Sequence, residues 1–304
     1  MRRPGKIISG KDRHIEEQGG KTLASIGIVT DSTAYLDEEY AERYDIRVVP
    51  LKVIMDDVSY REGVDISNEE FFARLKKAEV FPTTSQPAVG EFLEAYREMS
   101  ERYDGLISIH ISAGISGTCD AAKSAAAEMG DYPIEVIDSR FTAGLLGLIA
   151  IELAKARDQG KGMKELKALA DRIINSSTLM FMVGTLEYLH RGGRIGGAQA
   201  LLGTMLQLKP ILFIDGIIDV AERIRGANRA LNRLVEIAVE KVGGKKICMA
   251  ISHVMDPERM QELMGKVIEA LNCDPAEILI SQTGPVIGSH VGPGTAGIGF
   301  FPVE

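Results

Sequence analysis

Short apolar runs rich in Ile and Val alternate with longer helix-period segments, and this alternation constrains the fold more than any other feature of the sequence. A strand that is apolar at almost every position is typical of a sheet covered on both faces, and the intervening helices supply the cover. The sequence therefore predicts an α/β protein with mostly parallel sheets. The predicted strands are IGIVTD (26–31), IRVVPLKVIM (46–55), GLISIHIS (105–112), IEVIDS (134–139), LMFMVGT (179–185), ILFIDGIIDV (211–220), ICMAISHV (247–254) and EILISQ (277–282), and the predicted helices include 88–99, 119–129, 141–155 and 229–242.

The length of 304 residues exceeds what one hydrophobic core usually supports, so we expect two domains. Residues 1–23 begin with basic residues, as a signal peptide does, but no apolar stretch follows them. We expect a polar, disordered extension over 1–23, an N-terminal α/β domain over 24–170 and a C-terminal α/β domain over 171–304. The boundary is placed in the polar helical segment 160–177, because a new series of strands begins after it.

Composition excludes several classes of function. The net charge is −8 and no Lys/Arg cluster stands out, which argues against nucleic acid or an anionic membrane surface as the main partner. No apolar run reaches the roughly 18 residues of a transmembrane helix. Cys119, Cys248 and Cys273 lie far apart, which fits a reducing compartment and neither a disulfide framework nor a thiolate zinc site. We expect a soluble cytoplasmic protein.

Four loop segments contain more Ser, Thr, Gly, His and Arg than a connection between elements requires. Each adjoins an expected strand or helix start, and ligands of open α/β sheets gather beyond the carboxyl ends of the strands. We therefore expect a ligand site where these loops meet. The segments are TTSQP (83–87), SAGISGT (112–118), HRGGRIGG (190–197) and GSHVGPGTAG (288–297).

Segment 112–118 lies between an expected strand and an alanine-rich helix, which places Ser116 at or next to the helix start. Gly114 and Gly117 leave backbone amides uncovered, and open amides at a helix start favour an anion. The alternative is that Ser116 only caps the helix, which is a common role of serine. A hydrolase is disfavoured, because Thr118 stands where the G-x-S-x-G pattern of a nucleophile elbow needs glycine.

Two further segments supply hydroxyl and basic side chains. Thr84 and Ser85 come just before Pro87, which suits the first position of a helix, so both hydroxyls are expected at a helix start; an ordinary turn is the alternative. Arg191 and Arg194 flank a Gly-Gly pair, and guanidinium groups beside a closely approaching backbone suit a phosphate or carboxylate. A solvated basic loop is the alternative for this second segment.

Two ionisable residues have competing interpretations. His290 lies in a Gly/Pro-rich segment that we expect to be a rigid loop, where its imidazole could donate to an anion; a structural role is the alternative. Asp31 could be a catalytic acid, but an Asx turn before the following helix is favoured.

Residues 292–297 spell G-x-G-x-x-G, yet the helix that a dinucleotide site needs does not follow them. The sequence has no G-x-x-x-x-G-K-[S/T] loop, and its five histidines show no metal-ligand spacing.

Taken in order, these segments resemble the signature blocks of the DegV family of bacterial fatty-acid-binding proteins. Each block is weak alone, but six or more in the right order are specific, and the resemblance runs from Ile26 to Phe301. The family more usually has Tyr or another large residue where this chain has Cys119, so we expect the local shape of the pocket to differ there. The blocks are IVTDSTAYL, VVPLKV, TTSQP, SAGISGT, EVIDS, GTLEYLHRGGRI and GPVIGSHVGPGTAGIGF.

The resemblance implies two α/β domains that enclose a long-chain acyl tail between them. It also implies that Thr84 and Ser116 hold the carboxylate and that His290 closes on the same site, with Ser85 and the Gly117 backbone nearby. No catalysis, metal or cofactor is implied, and the bound fatty acid is the ligand.

Relatives of this family present the fatty acid to a separate kinase that makes an acyl phosphate. Arg191 and Arg194 are the residues assigned to docking that kinase or to the carboxylate. One alternative is an enzyme acting on a small phosphorylated or carboxylated metabolite, with Asp31, His290 and Arg194 in catalytic roles. Another is a regulatory module whose pocket is filled by bulky side chains.

Overall fold

Three β-sheets and the helices around them make up the part of the chain that the computed structural model describes, residues 25–203 and 208–303. The α/β class is confirmed. The expected extension over 1–23 lies outside the described residues, and the domain limits 24–170 and 171–304 stay predictions. The strands are β1 Ile26–Asp31, β2 Ile46–Val49, β3 Lys52–Met55, β4 Val58–Arg61, β5 Thr83–Ser85, β6 Gly105–His110, β7 Ile134–Asp138, β8 Thr178–Met182, β9 Leu208–Asp215, β10 Ile217–Arg225, β11 Ile247–His253, β12 Ile278–Gln282 and β13 Ala296–Pro302. The α-helices are α1 Glu38–Arg43, α2 Asn68–Leu75, α3 Val89–Ser100, α4 Thr118–Glu128, α5 Ala143–Asp158, α6 Met163–Ser176, α7 Glu187–Arg191, α8 Ala227–Val242, α9 Pro257–Leu271 and α10 Pro285–Val291.

A four-stranded parallel sheet has the order β2-β1-β6-β7. Alternate residues of β1 enter different cores: Ile28 packs with side chains of α5 and α6, and Val29 packs with side chains of α3 and α4. Because both faces are covered, every residue of β1 and of β6 is buried. The continuous apolar runs therefore predicted this sheet correctly.

A six-stranded sheet has the order β10-β9-β8-β13-β11-β12 and departs from the expected parallel arrangement. Only β11 and β12 are parallel, and the other four neighbouring pairs are antiparallel. β9 and β10 form a hairpin around Gly216, whose φ of 80° suits a tight turn. β13 lies between β8 and β11 and is antiparallel to both. An apolar run shows that a strand is covered on both faces, but it does not show the direction of the strand.

A small antiparallel sheet has the order β4-β3-β5. The segment 46–55, predicted as one strand, divides at Pro50 into β2 and β3, which belong to different sheets. Proline has no N–H to donate to a ladder, so a change of sheet is favoured there. Thr84 in β5 lies opposite Val53 of β3, and this register fixes its position.

Helix α5 is buried nearly all round and contacts both large sheets. Two glycines allow the close approach: a Cβ on Gly147 would lie 2.7 Å from the Ala34 carbonyl oxygen beside β1, and one on Gly144 would lie 2.8 Å from Cβ of Ala250 in β11. The two large sheets therefore share one hydrophobic core through α5.

Among the described residues, no helix combines the length and apolar character needed to cross a membrane.

Candidate functional site

A cavity of about 740 Å³ lies where the two large sheets and the small sheet meet. Its volume falls within the roughly 300–1,000 Å³ of small-molecule sites. The space is open, which disfavours a pocket filled by bulky side chains. Apolar side chains from the loop after β6 and from β8, β9 and β10 form its walls: Ile111, Ile115, Leu179, Phe181, Ile214 and Ile218.

Six of the seven site residues expected from the sequence line this cavity. The exception is Arg191, which pairs with Glu187 at 2.6 Å and lies 5.6 Å from the centre of the Phe81 ring. The folding of the chain thus gathers residues that are about 200 positions apart in sequence around one space. The six are Thr84, Ser85, Ser116, Gly117, Arg194 and His290.

Thr84 and His290 form the central polar contact, with Thr84 Oγ1 and His290 Nε2 2.8 Å apart. The expectation that Thr84 and Ser85 lie at a helix start is wrong, because both belong to β5 and α3 begins only at Val89. The strand pairs with β3, and the residue before Pro87 is disfavoured from helical geometry. Strand pairing therefore holds the Thr84 hydroxyl in place.

His290 lies in the last turn of α10, so the expectation of a rigid loop is wrong. Pro285 at the first helical position and Gly292 after the last are the signals that the sequence reading missed, and Gly292 has a φ of 76°. Burial, reinforced by the positive charge of Arg194, lowers the pKa of His290 to about 4, so the imidazole is neutral at neutral pH. Its Nδ1 is buried and has no hydrogen-bond partner within residues 25–203 and 208–303.

Ser116 precedes Gly117, the N-cap of α4, in agreement with its expected place next to a helix start. Its Oγ lies 2.8 Å from Thr118 Oγ1 and accepts a 3.4 Å hydrogen bond from the Thr118 N–H. A Cβ on Gly117 would fall 2.0 Å from Gln86 Oε1, so only glycine lets the Gln86 side chain cover this turn. The Ser116 hydroxyl is thereby set beside the start of an eleven-residue helix.

Arg194 ties two of the polar loops together. Its Nε donates to the Ile115 carbonyl at 3.3 Å, and its Nη1 donates to the Gly192 carbonyl at 2.7 Å. A Cβ on Gly192 would lie 2.2 Å from Nδ1 of His290, so this glycine leaves room for the imidazole. Arg194 is exposed, and it therefore marks the rim where the polar end of the cavity meets the surface.

The family model for an uncharacterised protein of the DegV family matches residues 25–303. The chain belongs to the DegV family. A DegV domain-containing protein from Listeria innocua is 40% identical over 278 residues, covering 90% of this chain and 97% of the relative. Protein DegV of Bacillus subtilis is 35% identical over 280 residues, covering 90% of this chain and 98% of the relative.

Solved structures match the fold over nearly the whole chain. A DegV family protein from Thermus thermophilus, described as fatty acid binding, has a TM-score of 0.87 and 34% identity and covers 92% of this chain and 100% of its own. DegV from Bacillus subtilis, described as a fatty acid binding protein, has a TM-score of 0.80 and 34% identity with the same coverage. A stearic acid-binding protein from Eubacterium ventriosum has a TM-score of 0.84 and 27% identity, covering 91% of this chain and 98% of its own.

Asp31 of this DegV protein forms the favoured Asx turn, in which its Oδ1 accepts the Thr33 N–H at 3.0 Å. Its Oδ2 lies 3.1 Å from Nδ1 of His110, whose Nε2 lies 2.6 Å from Oγ of Ser108. This Asp–His–Ser arrangement is fully buried and does not line the cavity. Oδ2 also accepts the Ile111 N–H at 2.9 Å, so Asp31 positions the cavity wall. Within residues 25–203 and 208–303, no His/Cys/Asp/Glu group could hold a metal ion.

Glu62 lies behind α10 and is buried, with 4% of its surface exposed. It accepts hydrogen bonds from the Val286 N–H at 2.7 Å, from the Ser32 hydroxyl at 2.6 Å and from the Tyr35 hydroxyl at 3.1 Å. Burial raises the pKa of Glu62 to about 7, although all three donors favour the ionised form. The sequence reading did not single out Glu62, since nothing near it in sequence indicates that its partners converge there.

Proposed function

We propose that this DegV protein binds a long-chain fatty acid in the cavity, with the carboxylate held by Thr84, Ser116 and His290. The contact between Thr84 Oγ1 and His290 Nε2, in a cavity whose walls are largely formed by apolar side chains, carries this proposal. The descriptions of the Thermus thermophilus, Bacillus subtilis and Eubacterium ventriosum proteins as binders of fatty acid or stearic acid support it.

The magnitudes favour a ligand whose tail supplies most of the affinity. Burying about 14 methylenes of a sixteen-carbon acid contributes about 11 kcal/mol at roughly 0.8 kcal/mol each. Association costs about 4–15 kcal/mol, because the ligand loses translational and rotational freedom. Each hydrogen bond to the carboxylate contributes about 1.5–3 kcal/mol, which mainly offsets the desolvation of the charge and fixes its orientation.

A neutral imidazole suits this role. A carboxylate within hydrogen-bonding distance of Nε2 would favour the protonated form of His290 and raise its pKa from about 4. If Nε2 carries the proton, it donates to Thr84 Oγ1, and the threonine hydroxyl is then free to donate to the carboxylate. Ser85 and the Gly117 backbone line the same end of the cavity.

We further propose that the protein is a carrier that presents the bound acid to a separate kinase. The sequence has no phosphate-binding loop of the G-x-x-x-x-G-K-[S/T] type, which supports a non-catalytic role. Arg194 at the rim is suited to a docking partner or to the carboxylate. Arg191 lies on α7, outside the cavity, so a contact with the carboxylate is disfavoured and we assign it to docking of the kinase.

Mass spectrometry of the ligand released on denaturation tests the binding proposal. We expect a long-chain fatty acid in a near one-to-one ratio to protein. Recovery of a nucleotide or a sugar phosphate instead would overturn the proposal. For the carrier role, incubation of the protein alone with ATP, magnesium and oleate should yield no acyl phosphate, and turnover by a kinase-free preparation would favour an enzyme.

A further inference from the structure

A second group of polar side chains lines the same cavity at the start of α5. We call it the α5 subsite and define it by Thr142, Ser252 and Thr283, which line the cavity and are 7%, 9% and 3% exposed. Oγ1 of Thr142 is buried and has no hydrogen-bond partner among the residues that the structure describes. A stranded hydroxyl beside an apolar chain is costly, because its desolvation is not offset by a bond.

The surroundings of Thr142 show why the hydroxyl is stranded. Thr142 is the N-cap of α5, a sixteen-residue helix, yet its side chain makes no capping bond. Ser252 Oγ instead accepts the Gly144 N–H of the first turn at 3.2 Å, so the proton of that hydroxyl remains for another acceptor. Because no bond holds the Thr142 hydroxyl, rotation about χ1 can exchange its Oγ1 with its methyl group.

A neighbouring hydroxyl repeats the pattern. Ser281 pairs with Ser252 in the β11–β12 ladder, so both side chains lie on the same face, which packs on Gly144 of α5. Oγ of Ser281 is also buried, and no described residue is its hydrogen-bond partner. Two hydroxyls without a partner among the described residues therefore lie at the positive end of one helix, which attracts the partial negative charge of a ligand oxygen.

The α5 subsite lies apart from the carboxylate end. Thr283 lies two residues before α10 and His290 is in its last turn, and the helical rise from Pro285 to His290 alone is about 7–8 Å at roughly 1.5 Å per residue. The cationic side chains of the cavity lining, Lys52 and Arg194, belong to β3 and to the turn that follows α7. The subsite thus offers hydroxyls and a helix start without a full positive charge, which suits a neutral oxygen.

We propose that the α5 subsite binds an oxygen substituent carried within the acyl chain, so that the cavity selects hydroxy- or oxo-fatty acids over the unsubstituted acid. This inference rests on the proposed function, because the carboxylate must be held at the other end of the cavity. A hydroxyl on the chain can donate to one side chain of the subsite and accept from another.

Binding of stearic acid and of hydroxystearic acids tests the inference. The hydroxyl is placed beside the carboxylate, at mid-chain or at the far end, and affinities are measured by calorimetry. We expect one of the isomers whose hydroxyl is at mid-chain or at the far end to bind about tenfold more tightly than stearic acid. One additional hydrogen bond accounts for a difference of this size. Thr142→Val should abolish that preference, and Thr142→Ser should keep it.

Thr30→Val is the matched control, because Thr30 Oγ1 is also buried without a partner in the described part of the chain but does not line the cavity. It should leave the preference unchanged. If no isomer binds more tightly than stearic acid, or if the preference survives Thr142→Val, the subsite proposal is wrong. Failure of the wild-type protein to bind stearic acid and every isomer would instead overturn the proposed function.

Discussion

At its N-terminal end, α10 meets a carboxylate that belongs to the protein, whereas at its C-terminal end it presents His290 to the cavity. Glu62 accepts from a backbone N–H and two hydroxyls, and His290 contacts one hydroxyl, that of Thr84. Burial shifts both ionisation equilibria toward the neutral form, raising the pKa of Glu62 to about 7 and lowering that of His290 to about 4. The buried carboxyl group of Glu62 thus anchors the N-terminal end of this short helix. Under the proposed function, the carboxylate of the ligand binds near His290 at its C-terminal end.

The largest expected effect comes from removing the anchor. Glu62→Ala should lower the free energy of unfolding by about 4 kcal/mol at pH 6, because the donors that converge on Glu62 lose their acceptor in a buried place. Urea denaturation measures the change. Glu69→Ala, an exposed acid in the first turn of α2, is the control and should change stability by less than about 0.5 kcal/mol. Equal effects of the two substitutions would show that Glu62 is not an anchor.

The second prediction concerns pH. The folded-state pKa of Glu62 is raised, so its contribution to stability is fully present below the ordinary carboxyl pKa and is lost as pH rises through about 7. Between pH 5 and pH 8, the wild-type protein should lose on the order of 3 kcal/mol relative to Glu62→Gln, which cannot ionise. Unfolding measured in parallel at both pH values tests this, and a wild-type protein that gains stability relative to the variant at pH 8 contradicts it.

The third prediction probes the cavity end of α10. Thr84→Val and Ser116→Ala should each weaken fatty-acid binding by about 1–3 kcal/mol, and the double variant should be non-additive because both hydroxyls act on one anion. Thr83→Val is the control, since Thr83 is an exposed neighbour in β5 that does not line the cavity.

The fatty alcohol of the same length should lose much less affinity from either change, because its head group is uncharged. Calorimetry at a temperature where all variants are folded measures these differences. Unchanged affinity in both folded single variants would place the carboxylate elsewhere.

The smallest expected effect is a shift in one titration. Fatty-acid binding should raise the pKa of His290 from about 4 by roughly one unit, which corresponds to about 1.4 kcal/mol. NMR of the imidazole in the free and bound protein measures it. The fatty alcohol supplies the comparison, because it brings no charge and should leave the pKa near its free value; an equal rise with acid and alcohol would rule out contact with the carboxylate.

The sequence predicted which loops meet but not the local structure that carries each side chain. Buried strands such as β1 and β6 are visible because both faces require apolar residues. The three-residue β5 forms because it pairs with β3, and the sequence around residues 83–85 does not indicate that pairing. The helix α10 is hidden because Gly288 and the glycines that follow the helix are typical of a loop, although Pro285 and Gly292 are helix-boundary residues.

Polar residues inside the cavity are harder to recognise than those in loops. Thr142 precedes a helix, and a threonine there is typical of a cap. Only the contact between Ser252 Oγ and the Gly144 N–H shows that another side chain serves the helix and leaves Thr142 unpaired. That contact joins residues 108 positions apart, so it depends on how the two large sheets pack together.

The burial of α5 between the two large sheets limits how a ligand can be exchanged. A hinge motion that separated the sheets would expose a helix with twelve buried residues, and at roughly 25 cal/mol per Å² the lost apolar burial would approach the stability of the whole domain. We therefore expect the rate of uptake and release to be governed by local movement of the 192–195 turn, where Arg194 lies exposed at the rim, while Glu62 holds α10 in place. In kinetic terms, ligand exchange should depend on a local opening at the rim of the cavity, while the two large sheets and α5 keep their relative positions.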